Sequence, residues 1–225
     1  RVREAGAVFF AKTTMPDYGM LSSGLSTFHR IARNPWDLAR TPGGSSAGAG
    51  AAAAAGYGPL HLGTDIGGSI RLPAGWCGIV GFKPSLGRVP IDPPYMGRAA
   101  GPITRTVADA ALLMQVLAQP DAHDSMALPA QAIDWAATWK KARSLHGLRG
   151  LRVGLLLNAG CGLPLAPAIQ AAVQRAADLL TTAGAVVTPI APFMTPEMLA
   201  GLDHFWRMRS LVDLQNLSAE ARASV

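Results

Sequence analysis

Two Gly-Gly-Ser sequences, Gly43-Gly44-Ser45 and Gly67-Gly68-Ser69, bracket an alanine-rich segment and constrain this chain more than any other feature. Glycine pairs let backbone approach a reacting group and take conformations that a Cβ forbids. A serine directly after such a pair is open to substrate and sits beside unobstructed backbone N–H groups. Those are the needs of a nucleophile with an oxyanion hole. The stretch Asp65-Ile-Gly-Gly-Ser69 supplies consecutive N–H groups that can cradle a tetrahedral oxyanion. It also reads as a glycine-rich turn with an incidental serine. The second motif shifts the balance, because one hydroxyl can relay a proton for another. Histidine is the usual base, yet His29, His61, His123, His146 and His204 sit in no catalytic motif, and Pro-Leu-His61-Leu reads as a strand position.

Composition narrows the classes. Hydrophobic residues make up 49% and charged residues 15%, which fits a compact, mostly buried α/β body or a piece of a larger one. Disordered and coiled-coil classes are excluded. The net charge of +6 is scattered, with no Lys/Arg run interleaved with aromatics, so no nucleic-acid partner is expected. Cys77 and Cys161 form no CxxC motif and no disulfide framework. Cys77 reads as a small buried apolar residue, and the thiols suit a reducing, cytoplasmic compartment. No ligand spacing suggests a metal, and no organic cofactor is implied. Gly48-Ala-Gly50 begins a dinucleotide-type pattern but lacks its strand–turn–helix context. The Gly/Ala run after Ser46 is broken by Gly56, Gly58 and Pro59, and reads as a buried helix rather than a membrane span. The chain opens Arg1-Val-Arg-Glu without methionine, which reads as other than the natural start.

Periodicity places the elements. Ala7–Lys12 reads as a buried strand, and residues 16–44 as a long functional loop. Ser45 or Ser46 caps a helix from Ala47 to about Ala55, ended by Gly56. Gly78–Pro84 reads as a strand and turn. Thr106 and Asp109 open a helix that Pro120 stops. Residues 119–148 read as a surface excursion. Leu151–Leu157, a helix opened by Pro167 with Ile169, Val173, Ala176 and Leu180 on one face, and Ala185–Ile190 form a βαβ-type unit. Trp206–Leu217 reads as helical.

The motifs occur in a recognisable order: Lys12-Thr-Thr-Met-Pro-Asp17, Asn34-Pro-Trp-Asp37, Pro42-Gly-Gly-Ser-Ser46, Gly63-Thr-Asp-Ile-Gly-Gly-Ser-Ile-Arg71, Pro73-Ala74, Gly78-Ile-Val-Gly-Phe-Lys-Pro84 and Gly101-Pro-Ile-Thr-Arg105. Across about 100 residues this block resembles the amidase signature family, and residues 151–190 are similar to the family's next section. The resemblance implies one α/β amidase domain with a mixed, twisted sheet covered by helices on both faces. Residues 1–225 would be part of it: 1–118 the signature core, 119–150 a surface linker, 151–225 the βαβ-like continuation.

The resemblance also implies a Ser–cis-Ser–Lys apparatus. Ser69 matches the nucleophile and Ser45 the bridging serine after a cis Gly44–Ser45 peptide. Ile66, Gly67, Gly68 and Ser69 would donate N–H groups to the oxyanion. Ser46, Asp65 and Arg71 would support them, with Gly19 and Gly44 bordering the substrate. Tyr18, Met20 and Trp36 are candidates for an apolar wall. The family's catalytic lysine lies in a motif several tens of residues before the Lys12 block. Lys12, Lys83, Lys140 and Lys141 do not match it. Leu72 stands where transamidosome-type relatives often carry glutamine, which leans towards a free-standing amidase. The expected activity is hydrolysis of a carboxamide C–N bond on a small-molecule substrate, with no membrane partner and room for a homodimer. The alternatives are the amidase subunit of a tRNA-dependent amidotransferase, and a non-catalytic fragment or scaffold.

Overall fold

The computed structural model describes residues 1–144 and 147–223; His146, one of the five histidines, lies outside them. The chain divides into two compact units, Arg1–Trp139 and Lys140–Arg222.

The first unit is built on three antiparallel strands in the order β1-β3-β2, with β1 at Leu60–Asp65, β2 at Val80–Gly81 and β3 at Ala99–Thr104. The register pairs Asp65 with Ala99 and Gly63 with Gly101. Gly101, Pro102, Ile103 and Thr104 are all buried, so both faces of the central strand are covered. That follows from side-chain alternation along a strand. Helix α1, Ala47–Ala54, buries Ala47, Ala49, Gly50 and Ala53. Small side chains there permit close approach: a β-carbon on Gly50 would sit 2.7 Å from Pro73 Cβ. Ala49, Ala53, Ile70 and Ile103 form one core cluster. Helix α2, Arg71–Cys77, ends at Gly78 in the left-handed region at φ 67°, a conformation that favours glycine. Helix α3, Val107–Leu117, is capped by Thr106, whose hydroxyl accepts the Asp109 N–H at 3.1 Å. Its Leu113, Met114 and Leu117 join Val89 and Ala118 in a second cluster.

Three expectations change here. Ala7–Lys12 forms no strand, and Val8, Phe9 and Phe10 are exposed. An apolar run becomes a strand only when it has an edge to pair with, and a run by itself does not specify that edge. Ser46 occupies the position before α1 without capping it by side chain. The surface excursion contains a helix, α4, Trp135–Ala142. Asp134 starts α4 by accepting the Ala137 N–H at 2.8 Å.

The second unit contains the βαβ arrangement. Strands β4, Arg152–Leu155, and β5, Val186–Pro189, pair in parallel, joined through α5, Pro167–Thr182. Pro167 opens the helix and Gly184, at φ 95°, comes after its end. Its inward residue differs from the expected face: Ala177 is buried, while Ile169 is 54% and Val173 39% exposed. Helix α6, Pro196–Gln215, is longer than the expected Trp206–Leu217 and is capped by Thr195. A short α7, Ala219–Ala223, follows it. Among the described residues no helix is long and apolar enough to cross a membrane.

Candidate active site

The first Gly-Gly-Ser turn is clamped on both sides. Gly43, at φ 85°, lies against the Pro73 backbone, and Gly44 lies against the Ser23 backbone. Any β-carbon at either position would meet main chain. The Gly44–Ser45 peptide is cis, and Ser45 is 7% exposed. The turn therefore delivers Ser45 to the interior just before α1 begins.

The second turn joins β1 to α2. Asp65, the last residue of β1, is fully buried and organises that turn. Its Oδ1 accepts the Gly68 N–H at 2.8 Å, and its Oδ2 accepts the N–H groups of Ile70 at 3.0 Å and Arg71 at 3.3 Å. The Arg71 guanidinium forks onto the same carboxylate through Nε at 3.0 Å and Nη2 at 2.8 Å. Burial pushes the Asp65 carboxyl up. The bonds from Arg71 and from the three N–H groups outweigh that and hold it below its ordinary value of 3.8. The side chain thus stays ionised and fixes the turn that carries Ser69.

Gly68 shows why glycine is required. Its φ is 133°, and a β-carbon would lie 2.9 Å from two carbons of Leu72. Leu72 also donates its N–H to the Gly68 carbonyl at 2.6 Å. The Gly68 N–H, one of the donors expected for the oxyanion, donates to Asp65 in this structure. That leaves the N–H groups of Ile66, Gly67 and Ser69 from the expected set.

The two turns meet. The Ser46 N–H donates to the Ser69 carbonyl at 3.3 Å. The Ser46 hydroxyl lies 3.4 Å from the Thr64 carbonyl oxygen and accepts the Thr64 N–H at 3.3 Å, which explains why it does not cap α1. Ser69 is therefore one end of a direct main-chain link, and Ser45 is adjacent in sequence to the other end. Gly19, at φ 69°, borders Ser45: a β-carbon there would be 3.5 Å from Ser45 Oγ and 3.2 Å from Met15 Cε. Trp36 is anchored elsewhere, donating Nε1–H to the Cys77 carbonyl at 2.8 Å while 73% exposed. Tyr18 is 36% exposed and Met20 half-buried.

No described histidine or lysine hydrogen-bonds either serine. His61 lies in β1 with Nε2 3.3 Å from the Gly58 carbonyl, and burial lowers its pKa. His123 pairs with Asp121. Lys83 Nζ donates to the Pro84 carbonyl at 2.9 Å, and Lys12, Lys140 and Lys141 lie outside the buried core. Among the described residues no three His, Cys, Asp or Glu side chains are grouped to hold a metal ion. A concavity of about 230 Å³ bordered by Val89, Asp92, His123 and Asp124 carries neither serine.

Sequence reasoning named Pro73 and Asp17 only as motif residues and missed their roles: Pro73 backs both Gly43 and Gly50, and the Asp17 carboxylate accepts the Ser26 hydroxyl and the Thr27 N–H, each at 2.8 Å. The Pro16-Asp17 dipeptide is a turn signal, but its partner nine or ten residues away carries no periodic mark.

A family model described as Amidase matches residues 1–220. The chain is 41% identical over 208 residues to a glutamyl-tRNA(Gln) amidotransferase subunit from Nitratidesulfovibrio vulgaris, a match covering 89% of this chain and 41% of that protein. Among solved structures it resembles a bacterial aryl acylamidase, with TM-score 0.84, 34% identity, and coverage of 100% of this chain and 48% of that one. It also resembles the peptide amidase of Stenotrophomonas maltophilia, with TM-score 0.74, 35% identity, and coverage of 84% and 40%. The chain spans about two fifths of the length of the curated relatives it matches. On these matches and this geometry, the chain belongs to the amidase signature family.

Proposed function

We propose that the first unit carries the reacting serines of an amidohydrolase. Ser69 Oγ attacks the carbonyl carbon of a carboxamide, and the N–H groups of Ile66, Gly67 and Ser69 take up the charge developing on oxygen. The C–N bond breaks as the departing nitrogen gains a proton. Water then cleaves the Ser69 ester and releases the carboxylate. Ser45 relays the proton leaving Ser69 and returns it to the nitrogen, and Gly19 and Gly44 border the substrate. None of the described lysines or histidines is given the role of base.

The observation that carries this reading is the bond from Ser46 N–H to the Ser69 carbonyl, which links the two glycine-serine turns. The Asp65 carboxylate supports it by fixing the second turn. The partner is a small-molecule amide, and the two free cysteines suit a cytoplasmic setting. Replacing Ser69 with alanine and assaying a panel of an anilide, a peptide amide and glutamine tests the proposal. Loss of every activity is expected; an unchanged rate in Ser69→Ala overturns it.

A second reading is favoured by the likeness to a glutamyl-tRNA(Gln) amidotransferase subunit: release of ammonia from glutamine in company with other subunits. Glutaminase activity that depends on a co-purifying polypeptide would select it. Leu72, apolar and packed on Gly68, favours the free-standing amidase.

A further inference from the structure

The turn Pro16–Met20 contains the one non-glycine residue with positive φ among the described residues: Tyr18, at φ 52° and ψ 14°. For a bulky L-residue this left-handed region is sterically disfavoured, and it persists where neighbours over-determine it. Two bonds close the turn, from Gly19 N–H to the Pro16 carbonyl at 2.9 Å and from Met20 N–H to the Asp17 carbonyl at 3.1 Å.

The restraint from outside the turn is Asp17. Its Oδ1 accepts the Ser26 hydroxyl and its Oδ2 the Thr27 N–H, both at 2.8 Å. The Ser26 hydroxyl in turn accepts the N–H groups of Phe28 at 3.1 Å and His29 at 3.2 Å. One carboxylate therefore bolts the Tyr18 turn to a second turn. Desolvation pushes the Asp17 carboxyl up, but the Thr27 and Ser26 bonds outweigh it and hold it below its ordinary value, so the bolt is charged at neutral pH. Charge-assisted bonds of this kind are the stronger class. The residue after Tyr18 is Gly19, where a β-carbon would lie 3.5 Å from the Ser45 hydroxyl oxygen, so its backbone runs beside Ser45.

We propose that Asp17 is a positioning residue of the site: it holds Tyr18 in the left-handed conformation and thereby keeps the Gly19 backbone beside Ser45. This rests on the reading of Ser45 as the relay. Asp17 itself touches no reacting atom; it acts through the turn.

The test is one double-mutant cycle read two ways. In the Tyr18 background, Asp17→Ala lowers kcat about tenfold, the size expected for losing a charged hydrogen-bond anchor. In a Tyr18→Gly background the same change costs less than about threefold, because glycine adopts positive φ without restraint. Hydrogen exchange at the Gly19 and Met20 amides gives the second readout, which needs no turnover. Asp17→Ala accelerates both in the Tyr18 background and neither in the Tyr18→Gly background. Asp17→Glu, which keeps the charge and both acceptors, restores part of the loss. Should Asp17→Ala fail to fold, Asp17→Asn replaces it, since it keeps an acceptor for Ser26 and loses one for Thr27. Equal losses in both backgrounds, or unchanged exchange, overturn the proposal. Full activity in Ser69→Ala would instead overturn the amidase reading, and the exchange data would still decide whether Asp17 holds the turn.

Discussion

Asp65 does at least three jobs with one carboxylate: it ends a strand, seeds the turn before Ser69 and binds Arg71. Removing it as Asp65→Ala leaves several donors without their acceptor. Because the Arg71 side chain is 53% exposed, water takes over part of that loss. The expected cost is about 2–3 kcal/mol, read as a lowered urea midpoint. The pH dependence has a fixed sign. The folded carboxyl is held below its unfolded value, so its contribution is full above about pH 4 and is lost as pH falls through the lowered value. Asp65→Asn should flatten that part of the acid limb, and an unchanged acid limb would contradict the assignment. At the serines, Ser69→Ala is expected to lower kcat by about 10⁴-fold or more. Ser45→Ala should slow acylation, measured in single turnover, and a wild-type rate in that variant would remove the relay.

Elements set the precision of these residues, and they show where a sequence speaks and where it is silent. Thr106→Ala should cost about 1 kcal/mol by removing the cap of α3, measured by thermal melting. Gly63→Ala in β1 is more damaging than its size suggests: the new methyl would lie 2.6 Å from Ser46 Oγ and 2.8 Å from Ile103 Cδ1. Overpacking there should cost about 1–3 kcal/mol and disturb the Ser46–Thr64 bonds. Helices α1, α3 and α5 are legible because caps, glycine stops and proline starts are local signals. The Ala7–Lys12 run misleads because pairing is decided by a distant edge. Helix α4 escapes a reading by periodicity, although Asp134 and the i, i+4 pair Trp135 and Trp139 mark it. The Gly-Gly-Ser sequences are legible as glycine-shaped turns, yet the capture of the Gly68 N–H by Asp65 is not. Sequence spacing does not say which of several neighbouring amides a carboxylate will take.

At the scale of the whole molecule, the fold class and the family are readable from the order of motifs, and both are supported by the likeness to solved amidases. The two thiols report on the folding of the chain. Cys77 is fully buried, its Sγ–H donates to the Pro42 carbonyl at 3.4 Å, and burial pushes its pKa up. Cys161 is partly exposed. Under native conditions a thiol reagent should modify Cys161 and spare Cys77 until the first unit opens, because buried, protonated thiols are inert. Modification of both at equal rates would show that the core around α2 is not closed.

The central claim is that Ser69 is an activated nucleophile. It is tested most directly by treating the protein with a fluorophosphonate and locating the adduct by mass spectrometry. A single adduct on Ser69, lost in Ser69→Ala and slowed in Ser45→Ala, is the predicted result. An adduct on another residue, or no adduct at all, would contradict it and leave the chain a member of its family without the family's chemistry.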